Sequence, residues 1–82
     1  MITADKLALL TNMPAAMLQQ ALEVKDVTFT GAKFLGISNG GEFCYNVVYR
    51  SPSFEGTDST KVFVKYDPTK DMVSASSELT RW

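Results

Sequence analysis

The sequence contains no His and a single Cys, Cys44, so few side chains are suited to catalysis. A Cys nucleophile is activated by a neighbouring cation, a His or a helix N-terminus. Cys44 lies between Phe43 and Tyr45, which supply none of these. We therefore predict that Cys44 is a buried structural residue. The absence of His also excludes imidazole acid/base chemistry and the usual zinc sites.

The carboxylates and glycines have simpler structural interpretations. Asp58, Asp67 and Asp71 lie in or next to predicted loops, where carboxylates can act as acids and bases or bind hard cations. Their spacing does not match a calcium-binding loop, and Asp67-Pro68 is typical of a turn. Gly40-Gly41 lacks the pattern of a phosphate-binding loop. We expect no catalytic residue, no cofactor and no metal, and hence no enzyme.

Composition limits the remaining functions. A chain of 82 residues forms one domain, and its formal net charge of -1 argues against binding nucleic acid mainly through bulk charge. No run of apolar residues approaches the roughly 20 needed to span a membrane. Residues 1–6 do not resemble a secretory signal, and a single Cys fits a reducing compartment. The expectation is a cytoplasmic protein without a membrane partner.

Residues 1–23 have the pattern of helix. Thr3 is suited to cap the first turn, and apolar residues then recur at helical spacing. Pro14 removes a backbone donor and disfavours helical geometry at the preceding residue. The segment is therefore either a kinked helix or two short helices, over 4–11 and 14–23, with Asn12 as a cap of the second.

Residues 24–78 have the pattern of a sheet. Strands are predicted over 42–50, 61–67 and 72–77. Residues 25–38 are also predicted to be strand, as either one bent strand or two short ones, because Gly31 permits a bulge. Asn39-Gly40 accepts the positive φ angles of a tight hairpin turn. Short connections favour pairing between sequential strands. The prediction is an α+β domain over 1–82, in which N-terminal helix packs on a three- or four-stranded antiparallel meander. The helices would cover the face bearing Tyr45, Val47, Val62 and Val64.

Three aromatic residues have no place in that core. Phe54 lies in the polar 51–60 loop, Phe63 points away from the presumed core face between Lys61 and Lys65, and Trp82 ends the sequence. Aromatic residues are common anchors of protein interfaces. The leading hypothesis is a non-enzymatic protein-binding module that uses a sheet face or edge and the 51–60 loop. Its partner would be another protein or a second copy, as in a homodimer. Small accessory and inhibitor proteins, including those of phages and mobile elements, commonly have this profile.

The alternative is a nucleic-acid-binding protein. Ala8, Asn12 and Leu18 give residues 7–22 a spacing that resembles a helix-turn-helix, with Asn12 at the left-handed turn position. That resemblance implies that Gln19 and Gln20 face DNA bases. A second route needs Lys33, Lys61, Phe63 and Lys65 to share one sheet face, where the ring can stack on a single-stranded base.

Overall fold

Two short helices precede four strands in the computed structural model, which describes residues 3–53 and 55–77. The helices are α1 (Ala4–Thr11) and α2 (Ala15–Leu22). The strands are β1 (Thr28–Ile37), β2 (Phe43–Arg50), β3 (Asp58–Asp67) and β4 (Met72–Ser77). They form one antiparallel sheet in the order β1-β2-β3-β4. The predicted α+β class and antiparallel meander are confirmed.

The described helices are eight residues each, and neither is long and apolar enough to cross a membrane. Thr3 caps α1 as predicted, because its side-chain oxygen accepts from the backbone N–H of Lys6 at 3.1 Å. Pro14 divides the segment into two helices and leaves α2 without a side-chain cap.

The predictions for Asn12 are wrong. Asn12 is the C-cap of α1 and not the N-cap of α2. Its side-chain amide donates back to the carbonyl of Ala8 at 2.9 Å. Its φ of -134° also lies outside the left-handed region required by the helix-turn-helix resemblance. The extended backbone at Pro14 starts α2, and its carbonyl accepts from the amides of Met17 and Leu18.

A buried tyrosine hydroxyl completes the break between the helices. The carbonyl of Leu10 would accept from the N–H four residues later, but that residue is Pro14, which has none. The Tyr45 hydroxyl from β2 donates to Leu10 O instead, and it accepts from the backbone N–H of Met13 at 3.0 Å. Burial raises the pKa of Tyr45, outweighing the opposing effect of the Met13 N–H, so the hydroxyl keeps its proton.

The core lies between the helices and one face of the sheet. Alternate residues of β2 and β3 point into it, as the period-two pattern predicts. The predicted core face, with Tyr45, Val47, Val62 and Val64, is confirmed, because each is at most 1% exposed. The other buried apolar residues of the described chain are Leu10, Met13, Leu18, Leu22, Phe29, Phe43 and Tyr49.

Residues 28–37 form one irregular strand, which resolves the two alternatives for this region. Its pairing with β2 shifts between Phe29 and Gly31, as predicted, and again between Phe34 and Gly36. Each shift inserts an extra residue on β1 and bends the strand locally.

The following hairpin is one residue wider than a tight Asn-Gly turn. Gly41 N–H donates to Ser38 O at 3.0 Å, and Ser38 N–H donates to Glu42 O at 2.8 Å. The positive φ falls on Gly41, at 81°, and not on Asn39. Asn39 and Gly40 do not have positive φ angles, so the left-handed conformation that closes the loop falls on its third residue, Gly41.

β3 begins at Asp58, three residues before the predicted 61, so the polar loop is shorter than 51–60. The extra pairs are Asp58 with Tyr49, Ser59 with Val48, and Thr60 with Val47. Polar residues extend this strand because β2 already offers a row of backbone partners up to Tyr49.

Replacing Tyr45 with Phe should destabilise the fold by roughly 1–3 kcal/mol, the cost of leaving buried backbone groups unpaired. The ring remains, while Leu10 O and Met13 N–H lose their partner. Urea unfolding followed by circular dichroism measures the loss. Tyr66→Phe is the matched control, because its hydroxyl bonds the exposed Asp71 and water can replace that contact. Equal midpoints for the two variants would contradict this account of Tyr45.

Candidate functional site

The sheet face opposite the helices is the candidate functional site, and we call it the open face. It carries the residues that alternate with the core positions, and none of their side chains is buried. Its residues are Lys33, Cys44, Asn46, Val48, Arg50, Ser59, Lys61, Phe63, Lys65, Asp67, Met72, Ser74 and Ser76. Antiparallel sheets commonly leave one face to solvent, and such faces are usually polar throughout.

Strand register brings the predicted basic and aromatic residues together. Lys33 and Lys61 both pair with Asn46, from opposite sides, so the two lysines lie in one cross-strand row. Phe63 lies in the next row, paired with Cys44 and Ser76, and Lys65 follows two residues later. These four residues therefore share one side of the sheet, as the nucleic-acid alternative requires.

Positive charge predominates around Phe63 on this face. Lys33, Lys61 and Lys65 are exposed, while the carboxylate of Asp67, at the end of β3, accepts hydrogen bonds from Thr69. The ion pair found among the described residues joins Lys6 of α1 to Asp71, and it involves none of these lysines. The three ammonium groups are therefore available to a ligand of opposite charge.

An apolar groove lies at the β1 side of this face, and we call it the Phe63 groove. Leu35 is 48% exposed and Ile37 is 54% exposed, and unlike the exposed Leu7, Leu9 and Met17 of the helices they border this groove. The groove has a volume of about 340 Å³ and is lined by Leu35, Gly36, Ile37, Ser38, Cys44, Lys61 and Phe63. A second, more polar groove of about 350 Å³ shares Lys61 and Phe63 with it and adds Asn46, Ser59 and Thr60.

The sequence interpretation missed Leu35 and Ile37. A signal was present, because Phe34 and Leu35 are adjacent apolar residues and adjacent residues of a strand point to opposite faces. Phe34 is half-buried and packs against the core, so Leu35 is left outside.

Cys44 is half-buried on the open face, whereas the sequence suggested a buried position. Its thiol lies 3.8 Å from the carbonyl oxygen of Glu42, at the distance of a weak hydrogen bond. The other predicted anchors, Phe54 and Trp82, lie outside the described residues.

The helical segment is less suited to contact DNA bases. Gln19 is already committed, because its amide group donates to the carbonyls of Val24 and Val27 at 3.2 and 2.8 Å and accepts from Phe29 N–H at 2.9 Å. These bonds hold the connection from α2 to β1. Gln20 lines an open hollow of about 700 Å³ beside α2, which also contains Glu23 and Lys25 and so has no single charge.

The loop carboxylates serve the turn, as predicted. Asp67 accepts from the backbone N–H and the hydroxyl of Thr69, and these bonds lower the pKa of Asp67. Asp71 accepts from the Tyr66 hydroxyl at 2.6 Å and pairs with Lys6 at 3.3 Å, and both contacts lower the pKa of Asp71. The same bond raises the pKa of Tyr66. No group of three metal-ligating side chains occurs within residues 3–53 and 55–77.

Comparison of this chain with models of protein families, with curated proteins and with solved structures finds no match. The open face itself is therefore the basis for assigning a function.

Asp71→Asn should lower the thermal midpoint slightly at neutral pH, and the difference from the unaltered protein should vanish in acid. A carboxyl whose pKa falls on folding stabilises the protein above its unfolded pKa, and this contribution is lost as the pH drops through its folded pKa. Asn keeps the positive φ of 50° at this position without strain. Thermal melts of both proteins across the acidic range provide the test. A difference that persists unchanged at low pH would contradict it.

Proposed function

We propose that this chain is a non-enzymatic protein-binding module and that the open face is its docking surface. The observation that carries the proposal is the uneven treatment of the two sides of the sheet. One side is covered by α1 and α2, while the other holds Phe63 and the exposed Leu35 beside three lysines. Exposed apolar side chains grouped within a polar rim are typical of protein interaction sites.

The groups on the open face are suited to binding. The phenyl ring of Phe63 and the aliphatic side chain of Leu35 supply apolar area whose removal from water favours association. Ammonium, amide and hydroxyl groups around them supply charge and hydrogen bonds that orient a partner. The face also lies on four paired strands, so its side chains are held in place before a partner arrives.

The lysines define the kind of partner. Three exposed lysines surround Phe63, while the carboxylate of Asp67 lies beyond Lys65 and is engaged by Thr69. The lysines therefore attract a protein surface rich in Asp and Glu. A second copy of this chain is less favoured on the open face, because two such faces would bring six lysines together. Self-association would then have to use another surface.

Single-stranded nucleic acid is the second candidate, favoured by the position of Phe63 among Lys33, Lys61 and Lys65. Sheet faces that bind RNA stack two or three bases on aromatic side chains, and the open face offers one ring. The formal net charge of -1 also gives little long-range attraction to a polyanion. Protein binding therefore accounts for the face better.

Binding should depend on the lysines of the open face and not on the overall charge. The test variant is Lys61→Glu/Lys65→Glu, and the matched control is Lys25→Glu/Lys70→Glu, which makes the same charge change at exposed positions outside the face. Each protein is immobilised and exposed to nuclease-treated lysate, and captured proteins are quantified by mass spectrometry. We expect proteins that bind the unaltered chain and the control but are depleted about tenfold or more on the face variant.

The proposal requires that such a protein, once purified, binds directly. It must bind the unaltered chain and the control variant more tightly than the face variant. Equal loss in both variants would indicate a nonspecific charge effect and would contradict it. Capture of proteins from untreated lysate but not from nuclease-treated lysate would favour the nucleic-acid alternative. Circular dichroism should show unchanged folding for both variants, because all four lysines are exposed.

A further inference from the structure

We propose that the Phe63 groove receives one apolar side chain from an acidic segment of the partner protein. The inference rests on the proposed function and specifies the chemistry of the partner: an aliphatic or aromatic anchor with Asp or Glu within about two residues of it.

The apolar half of this proposal follows from the groove lining. Leu35 exposes about half of its surface and lines the same hollow as Phe63, and Ile37 borders that hollow at the end of β1. Each apolar group removed from water by an incoming side chain favours binding, in proportion to the area buried. The other apolar side chains of the open face, Val48 and Met72, lie in different cross-strand rows, so the groove is where an apolar anchor meets an aromatic ring.

The shape of the groove follows from the second irregularity of β1. The register shift between Phe34 and Gly36 inserts Leu35 as an extra residue, and it places Gly36 opposite Cys44. Gly36 has no side chain and a φ of +137°, which favours glycine. The row that contains Phe63 therefore has small residues beside the ring, and these leave the hollow.

Its size suits a single side chain. The volume of about 340 Å³ lies at the lower end of the range of small-ligand pockets, about 300–1,000 Å³. The groove is also open to solvent along the sheet face, so the chain that bears the anchor can continue past it on both sides.

The acidic half follows from the spacing of the lysines. Lys61 and Lys65 lie two residues before and after Phe63, roughly 7 Å away along the strand, and Lys33 lies two strands from Lys61, roughly 10 Å away. In an extended segment, residues two positions from the anchor are also roughly 7 Å from it. Carboxylates at those positions come within reach of the ammonium groups, and no carboxylate lines the groove to oppose them.

Nuclear magnetic resonance titration of the full 15N-labelled chain tests this inference. The probes are a short acidic peptide with a central Leu, the same peptide with Ala in place of Leu, the same peptide with every acid replaced by Lys, and a short oligothymidylate. We expect the acidic Leu peptide to shift the amides of Leu35, Gly36, Cys44 and Phe63 and to slow alkylation of Cys44. Each other probe should bind at least about tenfold more weakly, as loss of an anchor or of its charge partners requires.

Three variants sharpen the test. Phe63→Ser should weaken the acidic Leu peptide about tenfold. Met72→Ser is the control, because Met72 is 60% exposed but lies outside the groove, and it should leave binding unchanged. Lys61→Glu should reverse the preference toward the peptide in which Lys replaces the acids, which a merely structural role of Lys61 would not produce.

Absence of any shift at millimolar peptide, or shifts confined to other regions, would overturn the inference. Tighter binding of oligothymidylate than of the acidic Leu peptide would overturn it in favour of nucleic acid. The proposed function survives separately if lysate capture is lost with Lys61→Glu/Lys65→Glu but is unaffected by Phe63→Ser. That pattern would indicate that the partner contacts the lysines of the open face but does not occupy the Phe63 groove.

Discussion

The hydroxyl of Tyr45 ties the helices to the sheet, and the other features of this fold depend on that contact. Pro14 breaks the helical segment and leaves the Leu10 carbonyl without its usual donor. A residue of β2 supplies the donor and also accepts from Met13 N–H. Because an unpaired polar group in the core is costly, the junction of α1 and α2 is held over Tyr45, on one side of the sheet.

The open face is a consequence of that arrangement. Two helices of eight residues each cover a single face of a four-stranded sheet. The same strand then serves two purposes, since Val62 and Val64 of β3 are buried while Lys61, Phe63 and Lys65 point the other way. Packing on one side fixes the positions of the side chains on the other, which is how a small domain presents an ordered binding surface.

The open face differs from a simple solvated sheet at one end. A lysine-rich face by itself discourages aggregation and needs no partner. The Phe63 groove adds exposed aliphatic area beside an aromatic ring, and its position depends on an irregularity of β1 at Leu35 and Gly36. Irregular pairing in strands often redirects a side chain at a functional surface. The combination of charge and a local apolar hollow is what favours a protein partner.

The sequence alone determined the features that depend on local pattern. Alternation in β2 and β3 assigned Tyr45 and Val62 to the core and Phe63 to the opposite side, and Pro14 predicted a kink or a break in the helical segment. Tertiary structure decided the rest, because the partners involved are distant along the chain. The donor for Leu10 O comes from 35 residues away, and the start of β3 follows from its pairing with β2. Leu35 is exposed because register, and not residue type, decides which of two adjacent apolar residues enters the core.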